Sequence, residues 1–200
     1  MTTSSTGKAR PGRPREFDEG DALDAAMKVF RERGYHATSV AELMSATGLA
    51  KASLYGAFGD KHSLFLAVLA RYVEQRLALL AADLESSSSA REGLATYLRR
   101  QAVEAAGGRG CLSANSALEL LPGDQAVEVI VARHQRLTRD LIASALDRIG
   151  ALAGQQDGPR PDVAARYVFA IVEGMWEQGR TLADPAPLLE VAEMTMRGLG

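Results

Sequence analysis

Residues 38–65 read TSVAELMSATGLAKASLYGAFGDKHSLF, and the reading of this stretch decides the fold. A short apolar helix pattern with Val40, Leu43 and Met44 at i, i+3 and i+4 runs into Gly48. A second short helix carrying Lys51, Ser53 and Tyr55 follows within a few residues, with Leu54 and Phe58 as its apolar positions. Two helices crossing steeply need a tight turn at a residue tolerant of positive φ, and Gly48 supplies it. The spacing predicts a helix-turn-helix whose apolar faces pack together. Lys51, Ser53 and Tyr55 are then left outward, where a DNA backbone or groove can receive them.

Upstream, the pattern predicts a helix from Asp18 to Arg33 with Leu23, Ala26, Met27 and Phe30 on one face. Acidic residues near its start and Arg31 and Arg33 near its end suit the helix dipole. Gly34 is expected to end it in a left-handed cap, and Thr38 is expected to N-cap the next helix. Residues 1–16 are rich in Thr, Ser, Gly, Pro and Arg and should be disordered in the free protein. The net charge of −2 does not advertise a nucleic-acid binder, yet Lys8, Arg10, Arg13 and Arg15 fall in the first fifteen residues with no acid among them. An Arg13-Pro14-Arg15 segment is thin enough to enter a minor groove, and a plain solubilising tail is the competing account.

The run Gly34-Tyr35, Thr38, Ala41, Gly48-Leu49, Tyr55, Phe58, Lys61 and Leu64 resembles the N-terminal DNA-binding domain of the TetR family of bacterial transcriptional regulators. The resemblance covers about residues 17–65. It implies an all-α chain with a disordered basic arm at 1–16, a three-helix DNA-binding domain at 17–63 and a helical effector-binding and dimerisation domain at 64–200. It also implies that Thr38, Tyr55 and Lys61 contact phosphates, which sets register without reading sequence. Lys51 is the candidate for a base edge, a guanine being the best match for its ammonium, and Ser53 can serve either role. A core aromatic with a surface hydroxyl is the plainer account of Tyr55, and a solvated charge that of Lys51. Met44 and Thr47 stand where the family usually has alanines, Ala57 where it has a histidine, and Ala50 where a serine often caps the recognition helix. These departures put a direct transfer of base contacts in doubt.

Downstream, Asp60 should cap a long helix with Leu64, Phe65, Val68, Leu69, Tyr72, Val73, Leu77 and Leu80 on a broad apolar face, linking the two domains. A serine run at 86–89 interrupts it, and Ser89 with Glu92 has capping-box spacing for a helix bearing Leu94, Tyr97, Leu98, Gln101 and Ala105. Gly107 to Gly110 ends that helix. Then comes Cys111-Leu112-Ser113-Ala114-Asn115-Ser116-Ala117-Leu118-Glu119, whose GCL-x-x-N-x-A-L-E pattern is similar to one branch of the TetR family. Asp124 should cap a helix with Val127, Ile130, Val131, His134, Leu137, Leu141, Ile142 and Ile149 in one stripe. A loop is expected at 150–161, and two further helices follow, the last one started by Asp184-Pro185. By resemblance these last two helices form a homodimer interface, although their stripes suit core packing equally.

The leading functional expectation is a homodimeric regulator, a repressor released from a palindromic double-stranded DNA operator by a small apolar or aromatic effector. Its pocket is expected among residues 65–180, lined mostly by Leu, Val, Met and Trp176, with Cys111, Asn115, His134 and Met175 as further candidates. For His134 a buried histidine holding one hydrogen bond is the plainer account. An alternative makes Cys111 a thiol sensor, with Arg109 and a helix start favouring the thiolate. An enzyme is the weakest reading, since no GxSxG, HExxH or P-loop occurs and the three histidines lack metal-ligand spacing. No cofactor, metal or membrane contact is expected. A single cysteine and no apolar run of about 18 residues point to a cytoplasmic protein.

Overall fold

The computed structural model describes residues 17–150 and 160–199, and among these it contains nine α-helices and no strand. Arg13 and Arg15, with the rest of the arm, lie outside the described residues, as does most of the loop expected at 150–161.

Three short helices form the N-terminal head. Helix α1, Glu19–Ala37, starts at Asp18, whose Oδ1 accepts from the Asp21 amide at 3.0 Å. It is broken at Gly34, where φ 79° and ψ 178° interrupt the helical path. The positive φ was expected at Gly34, but ψ is extended rather than left-handed helical, so the chain makes one further turn through Tyr35–Ala37 before leaving. Helix α2, Val40–Thr47, is N-capped by Ser39 and not by Thr38 as the sequence suggested. Ser39 Oγ accepts from Glu42 N at 3.2 Å, and the Glu42 carboxylate accepts from Ser39 N at 2.8 Å, a complete capping box. Thr38 is 2% exposed and its hydroxyl donates to the Gly34 carbonyl at 2.6 Å, tying down the break. Gly48 at φ 69°, ψ 9° makes the expected left-handed turn into helix α3, Lys51–Phe58. Thr47 stitches this turn, donating to Leu43 O at 2.8 Å and accepting from Leu49 N at 3.3 Å.

The core of the head is Phe30, Leu43, Leu54 and Phe65, all essentially inaccessible. Phe30 meets Phe65 edge-on with centroids 5.0 Å apart, and Tyr35 leans on Phe65 at 4.9 Å. Phe65 belongs to helix α4, Lys61–Ser86, so the head is closed by the first turns of a helix about 39 Å long that continues into the rest of the chain. Asp60 caps it as expected, accepting from Ser63 N at 2.7 Å.

Around α4 assemble α5 (Ala90–Ala105), α6 (Leu112–Leu120), α7 (Gln125–Ile149) and α8 (Pro161–Gln178), while α9 (Ala186–Gly198) lies against α5. The stripes read from the sequence are the buried faces. Leu94, Tyr97, Leu98, Gln101 and Ala105 are all buried on α5, and Leu188, Ala192, Met196 and Leu199 at the C-terminal end. Asp184 accepts from Ala186 N at 2.9 Å at the start of α9. Close approach is set by glycine where α8 meets α5. A Cβ at Gly179, at the end of α8, would run into the Ala105 carbonyl at the end of α5. Replacing Gly179 by Ala should therefore force the two helix ends apart and lower the unfolding free energy in urea by about 1–3 kcal/mol. Stability unchanged within about 0.5 kcal/mol would show that this contact yields freely.

Candidate nucleic-acid interface and effector chamber

On the head, α3 presents Lys51, Ala52, Ser53 and Gly56 to solvent while Leu54 is buried and Tyr55, Ala57 and Phe58 are half-buried. Ala50 occupies the N-cap without a side-chain hydrogen bond, and the first intrahelical bond is from Leu54 N to Ala50 O. The amides of Lys51, Ala52 and Ser53 therefore precede the ladder at the positive end of the helix, an arrangement suited to a phosphate oxygen. The Lys51 ammonium lies 5.7 Å from the Tyr55 ring centroid, one turn along the same face. Lys61 sits with its ammonium 4.5 Å from the Tyr35 ring centroid and 3.5 Å from His36 O, at the edge of the head. Lys51, Ser53, Tyr55 and Lys61 thus all reach the head surface. Thr38 does not: its hydroxyl has one proton, which Gly34 O already takes, and phosphate offers only acceptors.

The head is gripped from below by residues that the sequence reading did not single out for this role. Glu119, at the end of α6, accepts from Tyr35 N at 2.8 Å and His36 N at 2.6 Å, the two amides just after the Gly34 break. A Cβ at Gly34 would lie 2.7 Å from Glu119 Oε2, so glycine is needed both for φ and for this approach. Beside it His62 Nε2 meets Asp124 Oδ2 at 2.6 Å, while Asp124 Oδ1 caps α7 through Ala126 N and Val127 N, both at 3.1 Å. The hydrogen bond from His62, then those from the α7 amides, hold the Asp124 carboxyl below its usual range. The Glu119 contact was visible only as the last letter of the GCL-x-x-N-x-A-L-E pattern.

That pattern is explained by its two ends. Gly110 at φ 68° packs against Asn115, whose Oδ1 is held by Arg180, and Gly110 O lies 3.4 Å from Arg31 Nη2. Cys111 N-caps α6 and is 4% exposed, with the Tyr72 hydroxyl donating to its sulfur at 3.5 Å. Burial pushes the Cys111 thiol up, the opposite of what Arg109 was expected to do, since Arg109 is itself exposed. The thiol-sensor alternative loses its physical basis here.

Cys111 forms part of the wall of an inner chamber that also includes Arg76, Gln101, His134, Glu173 and Trp176. The chamber has about 20 Å³ open to the centre of a water molecule, room for roughly one or two waters. Cys111, Glu173 and Trp176 are shared with an outer cleft of about 360 Å³ that continues past Ala114, Asn115 and Leu118. Of the lining expected, mostly Leu, Val, Met and Trp176, the inner chamber has Leu80, Val172 and Trp176 but not Met175. Met175 is 1% exposed in the core and faces neither space, and the inner one mixes Leu80, Tyr97, Phe169 and Val172 with polar groups that α4, α5, α7 and α8 turn inward. Arg76 pairs with Glu104 and donates to Gln101 Oε1 at 2.7 Å. His134 is 7% exposed with Nδ1 3.1 Å from Ser113 Oγ, so the plainer account of a satisfied buried histidine describes it, although it also lines the chamber. Burial and then the Arg76 charge lower its imidazole to about 4, and burial raises Glu173 to about 6.

An exposed, uncapped helix at the second position of a helix-turn-helix, braced on a larger helical body, is the arrangement of a DNA-binding regulator. Residues 22–68 match the family described as "Bacterial regulatory proteins, tetR family". The chain is 35% identical over 207 residues to the HTH-type transcriptional repressor ComR of Escherichia coli (strain K12), covering 98% of this chain and 97% of that protein. It is 32% identical over 163 residues to the uncharacterized HTH-type transcriptional regulator YezE of Bacillus subtilis (strain 168), covering 78% and 83%. Among solved structures, a cysteine mutant of the TetR family transcriptional regulator CifR, complexed with 26 bp double-strand operator DNA, superposes with TM-score 0.80 at 32% identity, covering 93% of this chain and 98% of that one. The chain belongs to the TetR family and is a DNA-binding transcriptional regulator. No described helix is long and apolar enough to cross a membrane.

Two outcomes follow from the geometry. Glu119→Ala strands the Tyr35 and His36 amides and should cost about 1–2 kcal/mol in urea unfolding; a loss below about 0.5 kcal/mol would mean the grip is not formed in solution. The second concerns acid. Folded His134 stays neutral down to about 4, whereas an unfolded imidazole takes up a proton below 6.5, so stability is lost as pH falls through that window. His134→Gln should flatten the loss between pH 6.5 and 4 by at most about 3 kcal/mol. Glu173 acts in the opposite sense between its unfolded value of 4.5 and about 6, so the His134 effect is cleanest above pH 6. Melting curves with the same pH slope for both proteins would contradict the assignment.

Proposed function

We propose that the protein is a repressor that binds a palindromic operator as a homodimer in the cytoplasm and is released by a small-molecule effector. The observation that carries the DNA-binding part is the solvent-facing α3 with Lys51, Ser53 and three amides outside the helical ladder. Repression is supported by the relative ComR, a transcriptional repressor, and operator binding by the neighbour CifR, which is complexed with operator DNA. Dimerisation through α8 and α9 is supported by apolar side chains that the monomer leaves outside, Val163 and Tyr167 on α8 and Met194 on α9, the last 61% exposed. A two-fold dimer doubles the contacts of a short recognition helix on a symmetric site.

Release requires an effector that prefers one arrangement of the head over another, because equal affinity for both shifts nothing. Helix α6 has the position for this. Its first residues wall the chamber and cleft, and its last turn carries Glu119 on the break in α1. A side chain displaced near Cys111 or Asn115 is transmitted along a nine-residue helix to the amides that orient the head. Arg13 and Arg15 are assigned to the minor groove beside the α3 site, and Tyr55 and Lys61 to phosphates.

Selection of bound sequences from a random double-stranded pool tests the reading. A palindrome with half-sites about one helical turn or more apart is expected, and Lys51→Ala should relax one position in each half-site at a cost of about 1–3 kcal/mol. No enrichment, with binding lost at modest salt, would reduce the interaction to a non-specific tether.

A further inference from the structure

The inner chamber contains two polar groups whose hydrogen bonding is incomplete. Gln101 is 2% exposed, and its Oε1 accepts from both Arg76 Nη2 at 2.7 Å and Trp176 Nε1 at 3.0 Å. Two donors on one oxygen lock the amide, because turning it over would set its NH2 against both of them. Its Nε2 is left buried with no acceptor. On the opposite helix Glu173, three residues before Trp176, has no hydrogen bond or ion pair among the described residues, and the nearby Arg76 is taken by Glu104 and Gln101. One wall of the chamber thus offers a fixed donor and another offers an unfilled acceptor.

The size of the space limits what can complete them. With about 20 Å³ available, the space that Gln101 and Glu173 both line admits only a single small polar group of a larger molecule. A hydroxyl is small enough for this space and both accepts from Gln101 and donates to Glu173. The rest of such a molecule has the outer cleft of about 360 Å³, beside Ala114, Ala117, Leu118 and Trp176. A carboxylic acid would bring a second negative charge against Glu173, and a hydrocarbon would offer neither group a hydrogen-bond partner.

We infer that the effector class is a small neutral alcohol with an aromatic or alicyclic body in the outer cleft, its hydroxyl seated between Gln101 and Glu173. This rests on the ligand-released reading above and narrows it from any apolar molecule to one with a single uncharged donor–acceptor head. Glu173 is ionised at neutral pH by the value it reaches, about 6, so it serves there as the acceptor.

Trp176 is the single tryptophan of the chain and borders both spaces, so its fluorescence reports occupancy directly. The full-length protein is titrated at pH 7 with benzyl alcohol, toluene and benzoate, which share a ring and differ in the head. Benzyl alcohol should bind about tenfold or more tightly than either of the others. Glu173→Leu should bring benzyl alcohol and toluene within about twofold while raising the melting temperature, because it removes a desolvated carboxyl that has no partner to lose. Glu173→Gln, which still accepts, should keep the preference, and it carries the test if the leucine variant does not fold. Toluene or benzoate binding as tightly as the alcohol, a preference that survives Glu173→Leu, or no fluorescence response to any probe overturns the proposal. Operator binding by the same preparation separates the two readings. An alcohol that binds as described but leaves operator occupancy unchanged sinks ligand release and leaves the ligand class standing.

Discussion

The seating of the head on the rest of the molecule depends on one carboxylate holding two amides. Glu119 receives Tyr35 N and His36 N where Gly34 has broken α1, and a Cβ at Gly34 would push that carboxylate off its position. Amides released by a helix break must find partners or water, and here the partner comes from the far side of the molecule, 83 and 84 residues away in sequence. The head is consequently attached at two kinds of joint. The start of α4 fixes it through apolar packing of Phe65 on Phe30 and Tyr35, and Glu119 with Asp124 fixes it through polar contacts that can be exchanged for water at small net cost.

The chamber is built on the same helix that ends in Glu119. Its polar groups follow from how the bundle is assembled, since α4, α5, α7 and α8 meet around it and bring Arg76, Gln101, His134 and Glu173 together with Trp176. Arg76 stacks 5.5 Å from the Trp176 ring while bonding Gln101 and Glu104, so charge, ring and amide restrain one another. Glu173 stands outside this network. A carboxyl left desolvated and unpaired works against stability, a cost that binding sites commonly carry.

Much of the head was legible in local sequence because its signals are local. Gly48 needs positive φ, Asp60 precedes Ser63 at capping distance, and the i, i+3, i+4 stripes of α4 and α5 are the faces that became buried. The N-cap of α2 was misread for an instructive reason. Thr38 and Ser39 both have capping chemistry, and the Glu42 three residues after Ser39 was the deciding signal, since a capping box needs its acidic partner at that spacing. The placement of Met175 failed differently. Periodicity marks it as inward-facing, which it is, but inward on α8 includes both core and chamber wall. The reading of Cys111 erred because Arg109, two residues away, points to solvent, and burial outweighed it.

The sequence by itself determined the all-α class, the helix-turn-helix, the helices and their inward faces, because helical periodicity, caps and glycine turns act over four residues or fewer. It also carried the family resemblance that the relatives then established. Only the tertiary structure decided what those faces meet. That Glu119 holds the α1 break, that Asp124 joins His62 to α7, and that Gln101 and Glu173 share one small space are consequences of helices brought together from distant parts of the chain. Periodicity states that a side chain points inward; whether it finds a hydrogen-bond partner there depends on a second helix whose position no local rule contains.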